Sequence, residues 1–165
     1  MIKKYSLDML RAALLIFAAT LTLPVSAAQG DKTAGDMEIL RDKIKADKKF
    51  VVAKNMDLTD EEAKGFWPVY EDYQKDLNKI NERMAKLINE YADAYNKGGL
   101  SDKTAQKLID DAIDIEMDEA KLKKTYADKL RKVLPGVKAA RYLQIESKIR
   151  SVVRYELASG IPLAY

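Results

Sequence analysis

The chain has 165 residues, 47% of them hydrophobic and 33% charged, with 29 Lys and Arg against 26 Asp and Glu and with neither Cys nor His. That length is one modest domain. Without His the commonest general base and transition-metal ligand are missing, and without Cys no disulfide can form, so packing alone must hold the fold.

The first residues read as an export signal, residues 1–27. Lys3, Lys4 and Arg11 form a basic start, interrupted by Asp8, and Ala12 to Leu23 is an uncharged apolar run. Val25 and Ala27 fit the two small positions of a signal-peptidase site, and the run is shorter than the ~20 residues that span a bilayer. The expectation is a bacterial periplasmic protein cleaved near Ala27, with no stable membrane insertion afterwards. From Ala28 on there are 26 Lys and Arg against 25 Asp and Glu. So even a balance offers no long-range field for nucleic acid or for an anionic membrane.

Residues 28–35 are small and polar and read as a disordered mature N-terminus. Asp36 can cap a first helix whose apolar side is Met37, Leu40, Ile44 and then Phe50, Val51 and Val52. Its lysines, Lys43, Lys45, Lys48 and Lys49, form either an anion site or a solvated face flanked by Asp42 and Asp47. Asn55 to Leu58 is a turn.

Leu58 to Gly99 organises the rest. Thr59 and Glu62 make a capping box, and Asp60 and Glu61 face the positive end of the helix dipole. Phe66, Tyr70, Tyr73, Leu77, Ile80, Met84, Leu87, Tyr91 and Ala94 follow in steps of four and three, a heptad seam that implies a left-handed crossing. Gly65, Trp67 and Pro68 interrupt the pattern, and the proline predicts a kink near Lys64. The kink either presents Trp67 as a ligand surface or, the default, folds an end over the core with Trp67 beneath it. Gly98 and Gly99 end the helix.

Ser101 caps a third helix, expected to run to about Leu134. Its face is Leu108, Ala112, Ile115, Leu122, Tyr126 and Val133, widened by Ile109, Ile113, Met117, Ala120 and Leu130. Pro135 breaks it and is read as the first residue of a last helix. That helix, about 136–158, carries Tyr142, Ile145, Ile149, Val152, Glu156 and Leu157. Ser159 and Gly160 close it, and 161–165 is an apolar tail expected to pack back. The fold class is therefore all-α: a long antiparallel helical hairpin with flanking N- and C-terminal helices, an elongated four-helix arrangement within a single domain over 36–160.

Chemistry is sparse. Asp111, Asp114 and Asp118 share one helical face and could attract a hard cation, but they lack a binding loop and have lysines around them. Carboxylates for glycoside hydrolysis need a cleft that a bundle does not offer. The methionines are scattered, as core filling requires. No enzyme activity, cofactor or resident metal is expected. Tyr70, Tyr73, Tyr91, Tyr95, Tyr126, Tyr142 and Tyr155 lie on predicted helices, where they serve either amphipathic recognition surfaces or a thin core.

Leu58-Thr59-Asp60-Glu61-Glu62 resembles the LTxxQ motif of the bacterial Spy/CpxP-like periplasmic family, with Glu for Gln. Leu134 to Lys138 is a degraded second copy lacking Thr and Gln, followed by Ala139 to Glu146 of similar texture. The resemblance covers about Leu58 to Glu156 and implies a long-hairpin fold, often dimeric, that binds misfolded or envelope proteins without ATP. The expected function is a periplasmic, non-enzymatic protein-binding protein, chaperone-like or stress adaptor, whose partners are unfolded or envelope proteins or a second copy. The alternative is a structural, self-associating envelope module with one dedicated partner; a third is a cation binder at the acidic face. The candidate structural or partner residues are Thr59, Glu62, Gly65, Trp67, Pro68, Tyr70, Arg141, Tyr142, Gln144 and Glu146, with Arg141, Gln144 and Glu146 as polar ties near the start of the final helix.

Overall fold

The structure, a computed structural model, describes residues 47–164. The expected export signal, the 28–35 segment and the expected Asp36–Ala46 part of the first helix lie outside these residues. Within them the chain is all-α. Residues 47–56 are helical (α1), followed by α2 (Asp60–Asn96), α3 (Asp102–Leu130) and α4 (Gly136–Gly160). No strand occurs among the described residues. At 1.5 Å per residue the 37 residues of α2 extend about 55 Å.

Side-chain contacts fix the helix directions. Asp76 meets Tyr126, Arg83 meets Asp118 and Glu90 meets Lys107, so α2 and α3 run antiparallel. Gln74 meets Tyr142 and Glu146, Asn81 meets Arg150 and Tyr91 meets Pro162, so α4 lies parallel to α2. Helix α1 folds back on the start of α2, where Lys48 bonds Gln74 and Lys49 bonds Glu71.

Local chemistry explains the boundaries. The capping box of α2 is complete: Thr59 Oγ1 accepts from the Glu62 N–H at 3.3 Å, and Glu62 Oε2 accepts from the Thr59 N–H at 2.9 Å. Ser101 Oγ accepts from the Thr104 N–H and caps α3. Gly98 and Gly99 hold φ at 115° and 109°, a region closed to most side chains, and this turns the chain between α2 and α3. Helix α2 continues through Pro68, which is exposed. Gly65 lies where α2 comes closest to the turn after α3; a Cβ there would stand 3.1 Å from the Cβ of Val133.

The buried face of α2 follows the heptad through Phe66, Tyr70, Tyr73, Leu77 and Ile80, then passes to Ala85, Ile88 and Ala92. Met84, Leu87, Tyr91 and Ala94, expected in the seam, are half-buried. A straight helix has 3.6 residues per turn, so a strict 3.5-residue seam drifts by about 20° per heptad and contact moves to the next residue. Helix α3 ends at Leu130 rather than Leu134, and residues 131–134 form a turn. Pro135 precedes α4 as its N-cap, leaving Gly136 as the first helical residue.

Two apolar clusters result. The larger joins Val52 and Met56 of α1, the aromatic start of α2, Tyr126 and Leu130 of α3, Leu134, and Ala139 and Tyr142 of α4. The smaller, toward the far end, holds Ile88, Val153 and Leu157 with Met84 and Ile161 against them. Several expected core residues are solvent-exposed: Phe50 and Val51 on α1, Ile109, Ile113, Met117 and Ala120 on α3, and Val152 and Glu156 on α4. On α4 the inward row is instead Ala139, Tyr142, Glu146, Arg150, Val153 and Leu157. The C-terminal tail docks in part. Tyr91 donates to the Pro162 carbonyl at 2.7 Å and Ile161 is half-buried, while Leu163 is exposed.

Candidate functional site

Between the apolar clusters the three long helices meet through buried charge. Glu119 of α3 and Arg150 of α4 face each other across the bundle: Arg150 donates from Nε and Nη2 to Glu119 Oε2 at 3.0 and 2.6 Å, and from Nη1 to Asn81 Oδ1 of α2 at 2.7 Å. Arg154 adds a bond to the same carboxylate oxygen at 3.1 Å. The other oxygen, Glu119 Oε1, has the Lys123 ammonium 3.0 Å away but no donor aligned on it. Burial alone would raise the Glu119 pKa; the hydrogen bonds from Arg150 and the nearby Lys123 ammonium outweigh it and hold the carboxyl at about 2, against an ordinary 4.5.

One turn nearer the aromatic cluster, Glu146 plays the matching part. Its Oε2 pairs with Lys48 at 2.9 Å and its Oε1 accepts from Gln74 at 2.8 Å. Gln74 also donates to the Tyr142 hydroxyl at 3.2 Å and accepts from Lys48 at 2.7 Å, so α1, α2 and α4 are tied at one point. Phe66, Tyr70, Tyr73, Tyr126 and Tyr142 stack edge to face around it, with ring centroids 5.1 to 6.0 Å apart. Burial first, and then the charge of Glu146, push the Tyr142, Tyr70 and Tyr73 hydroxyls up. Such phenols stay protonated at any ordinary pH, so they act as packing groups and donors. The Tyr126 hydroxyl donates to Asp76 Oδ2 at 2.7 Å.

Of the ten residues singled out from the sequence, Tyr70, Tyr142 and Glu146 converge in this centre, with Trp67 at its edge. Trp67 is half-buried, and the Lys49 ammonium lies 5.0 Å from its ring centroid. Thr59 and Glu62 form a separate joint: Lys138 of α4 reaches both the Glu62 carboxylate and the Asp57 carbonyl. Gly65 is the close approach to Val133, and Pro68 is exposed. Arg141 and Gln144, expected as polar ties, are exposed on the outside of α4, because only positions in step with Tyr142 and Glu146 turn inward. Gln144 lines a shallow open depression with Leu143, Ser147 and Lys148.

The sequence reading missed Gln74, Asn81, Lys138 and, above all, Glu119 and Arg150, and it named Lys48 only as one of a lysine cluster. By type Glu119, next to Asp118 and close to Glu116, reads as one more surface acid. Its signal was position: Leu108, Ile115, Glu119, Tyr126 and Leu130 share one side of α3. Two of the three acids of the acidic face are engaged, Asp111 with Lys107 and Asp118 with Arg83 and Lys121, while Asp114 is exposed. Among the described residues no three His, Cys, Asp or Glu are grouped to hold a metal ion.

What faces solvent differs from expectation too. Ile109, Ile113 and Met117 are 58%, 51% and 47% exposed, and Val152 and Tyr155 of α4 are 62% and 72% exposed. Residues four apart advance by about 40° around a helix, so the three α3 side chains form one slanting strip. Asp110, Asp114 and Glu116, all exposed, border it. No described helix is long and apolar enough to cross a membrane. Compared with known protein families, with curated proteins and with solved structures, the chain matches none of them.

Proposed function

We propose that the protein is an exported, non-enzymatic protein-binding protein of the periplasm, chaperone-like or adaptor-like, that holds unfolded or envelope polypeptides on the outer side of α3. The observation that carries this reading is the Ile109–Ile113–Met117 strip, apolar surface that the fold leaves uncovered and rims with charge. Exposed apolar surface of this kind marks interaction sites. The strip is a convex line of flexible and branched side chains rather than a shaped pocket, which favours sequence-tolerant contact with extended chains over a small ligand. Of the two uses open to the tyrosines, Tyr70, Tyr73, Tyr126 and Tyr142 serve the core, where they are buried. The capping-box resemblance of Leu58 to Glu62 to Spy/CpxP-like proteins supports the same class of function.

The test is aggregation of an unrelated, chemically unfolded protein, followed by light scattering at near-stoichiometric ratios. The expected result is suppression by the wild type and its loss in an Ile109→Ser, Ile113→Ser, Met117→Ser variant of unchanged thermal stability. No suppression at several-fold excess would sink the reading. If sedimentation instead shows a tight oligomer that this variant breaks apart, the strip serves self-association and the structural-module reading replaces the first.

A further inference from the structure

Charge in this chain is segregated, although its sum is small. Residues 57–119 carry seventeen acids and eight Lys or Arg, whereas residues 121–141 carry eight Lys or Arg and a single acid, Asp128. The second stretch is the end of α3, the turn at 131–135 and the first turns of α4, so the fold gathers it at one end of the bundle. Lys121, Lys124, Lys129, Arg131, Lys132 and Arg141 are all exposed there. Asp118 answers Lys121, Asp128 answers Arg131, and Lys129 lies over the Tyr126 ring. Lys124, Lys132 and Arg141 make no ion pair among the described residues. At the tip, Pro135, Gly136 and Val137 are exposed, Val137 to 74%. The acids at the same end include Asp57, Asp60 and Asp72, all exposed, besides Glu61, which is held by Lys64, and Glu62, which is held by Lys138.

We propose that this elbow between α3 and α4 docks on an anionic phospholipid surface. Unpaired, flexible cations spread over a convex end suit a flat sheet of headgroups, and Val137 is placed to enter the boundary between headgroups and acyl chains. A shaped polyanion is a poorer match. Single-stranded nucleic acid is gripped by stacking on exposed aromatic rings, and Tyr126, the aromatic residue between 121 and 141, is buried. The elbow is separate from the Ile109–Met117 strip, so this surface stands or fails apart from the protein-binding reading.

The experiment is co-sedimentation of the chain, as recovered from expressing cells, with phosphatidylcholine vesicles that contain or lack phosphatidylglycerol. Where the Ala12–Leu23 run is retained it would enter lipid by itself, so the readout is the difference between lipids and between variants in one chain form. Each cation lost near an anionic leaflet weakens binding about five-fold, so a Lys124→Gln, Lys132→Gln, Arg141→Gln variant should bind roughly a hundred-fold more weakly. Lys86→Gln, Lys97→Gln, Lys103→Gln, an equal charge change at the far end of the bundle, should bind nearly as wild type, and molar salt should abolish binding. Binding confined to phosphatidylglycerol vesicles and lost in the first variant alone supports the proposal. Equal binding to both lipids, equal losses in the two variants, no binding, or tighter binding to a single-stranded oligonucleotide would each overturn it.

Discussion

The two halves of the bundle are built on the same helices but held by different forces. Near the elbow, four helices close on rings: Phe66, Tyr70, Tyr73, Tyr126 and Tyr142 are all buried and touch edge to face. Farther along, three helices enclose the Glu119–Arg150 pair and smaller apolar side chains without a buried ring, among them Ile88, Leu108, Ile115, Val153 and Leu157. Large apolar side chains give the first half stability through burial. The second half relies on a charge pair whose attraction is largely offset by the cost of taking both ions out of water. The contrast teaches that one helical repeat can deliver either a core or a clasp, depending on what occupies the inward positions.

The largest expected effect probes the aromatic half. Phe66→Ala should lower unfolding free energy by about 3–5 kcal/mol in denaturant titration, whereas Leu157→Ala in the small cluster should cost about 2 kcal/mol. Equal losses would erase the distinction between the halves. Arg150→Ala should cost about 3 kcal/mol, because it leaves Glu119 buried without its main partner, and an added Glu119→Leu should restore much of that. Additive losses in the double variant would show that the two residues do not act as a pair.

A smaller effect is a pH dependence belonging to the far half. The Glu119 carboxyl sits at about 2 in the folded chain, below its ordinary 4.5. A group with a depressed folded pKa contributes stability above its unfolded value and loses it as pH falls through the folded one. Stability should therefore decline between about pH 4.5 and pH 2, by on the order of 2 kcal/mol from this group. Glu119→Gln should be less stable at neutral pH yet show a flatter acid limb, read by thermal unfolding across that window. The smallest change returns to the elbow half: Thr59→Ala should cost about 1 kcal/mol by removing the α2 cap, and a null result would mean that Glu62 and Lys138 hold that end unaided.

Much of this architecture was legible from residue type and spacing. Thr59 with Glu62, Ser101, and the Gly98–Gly99 pair act through bonds within a few residues of themselves, so their roles showed without tertiary knowledge. The first half of the α2 seam was legible for the same reason, since every inward position there is aromatic or aliphatic. Helix α4 was misread because its inward row contains Glu146 and Arg150, and charge at such positions reads as surface until the partner helix is seen. The misplacement of Ile109, Ile113 and Met117 is the converse: apolar type was taken for burial, while α3 has only one side to give to α2 and α4. Arg141 and Gln144 failed as ties because neighbouring sequence positions on a helix point about 100° apart. The near-zero net charge concealed the elbow, because two opposite surpluses cancel in a sum.

The guanidinium of Arg150 has one further consequence. An apolar row such as Ala139, Val153 and Leu157 tolerates sliding by a helical turn, because one greasy contact substitutes for another. Moving α4 by a turn, about 5.4 Å, would carry Arg150 out of reach of Glu119 and Asn81 together and strand an ion in the interior. The clasp thus works as an indexing pin: it adds little to how firmly the rods adhere, and it selects the single longitudinal setting in which they lock.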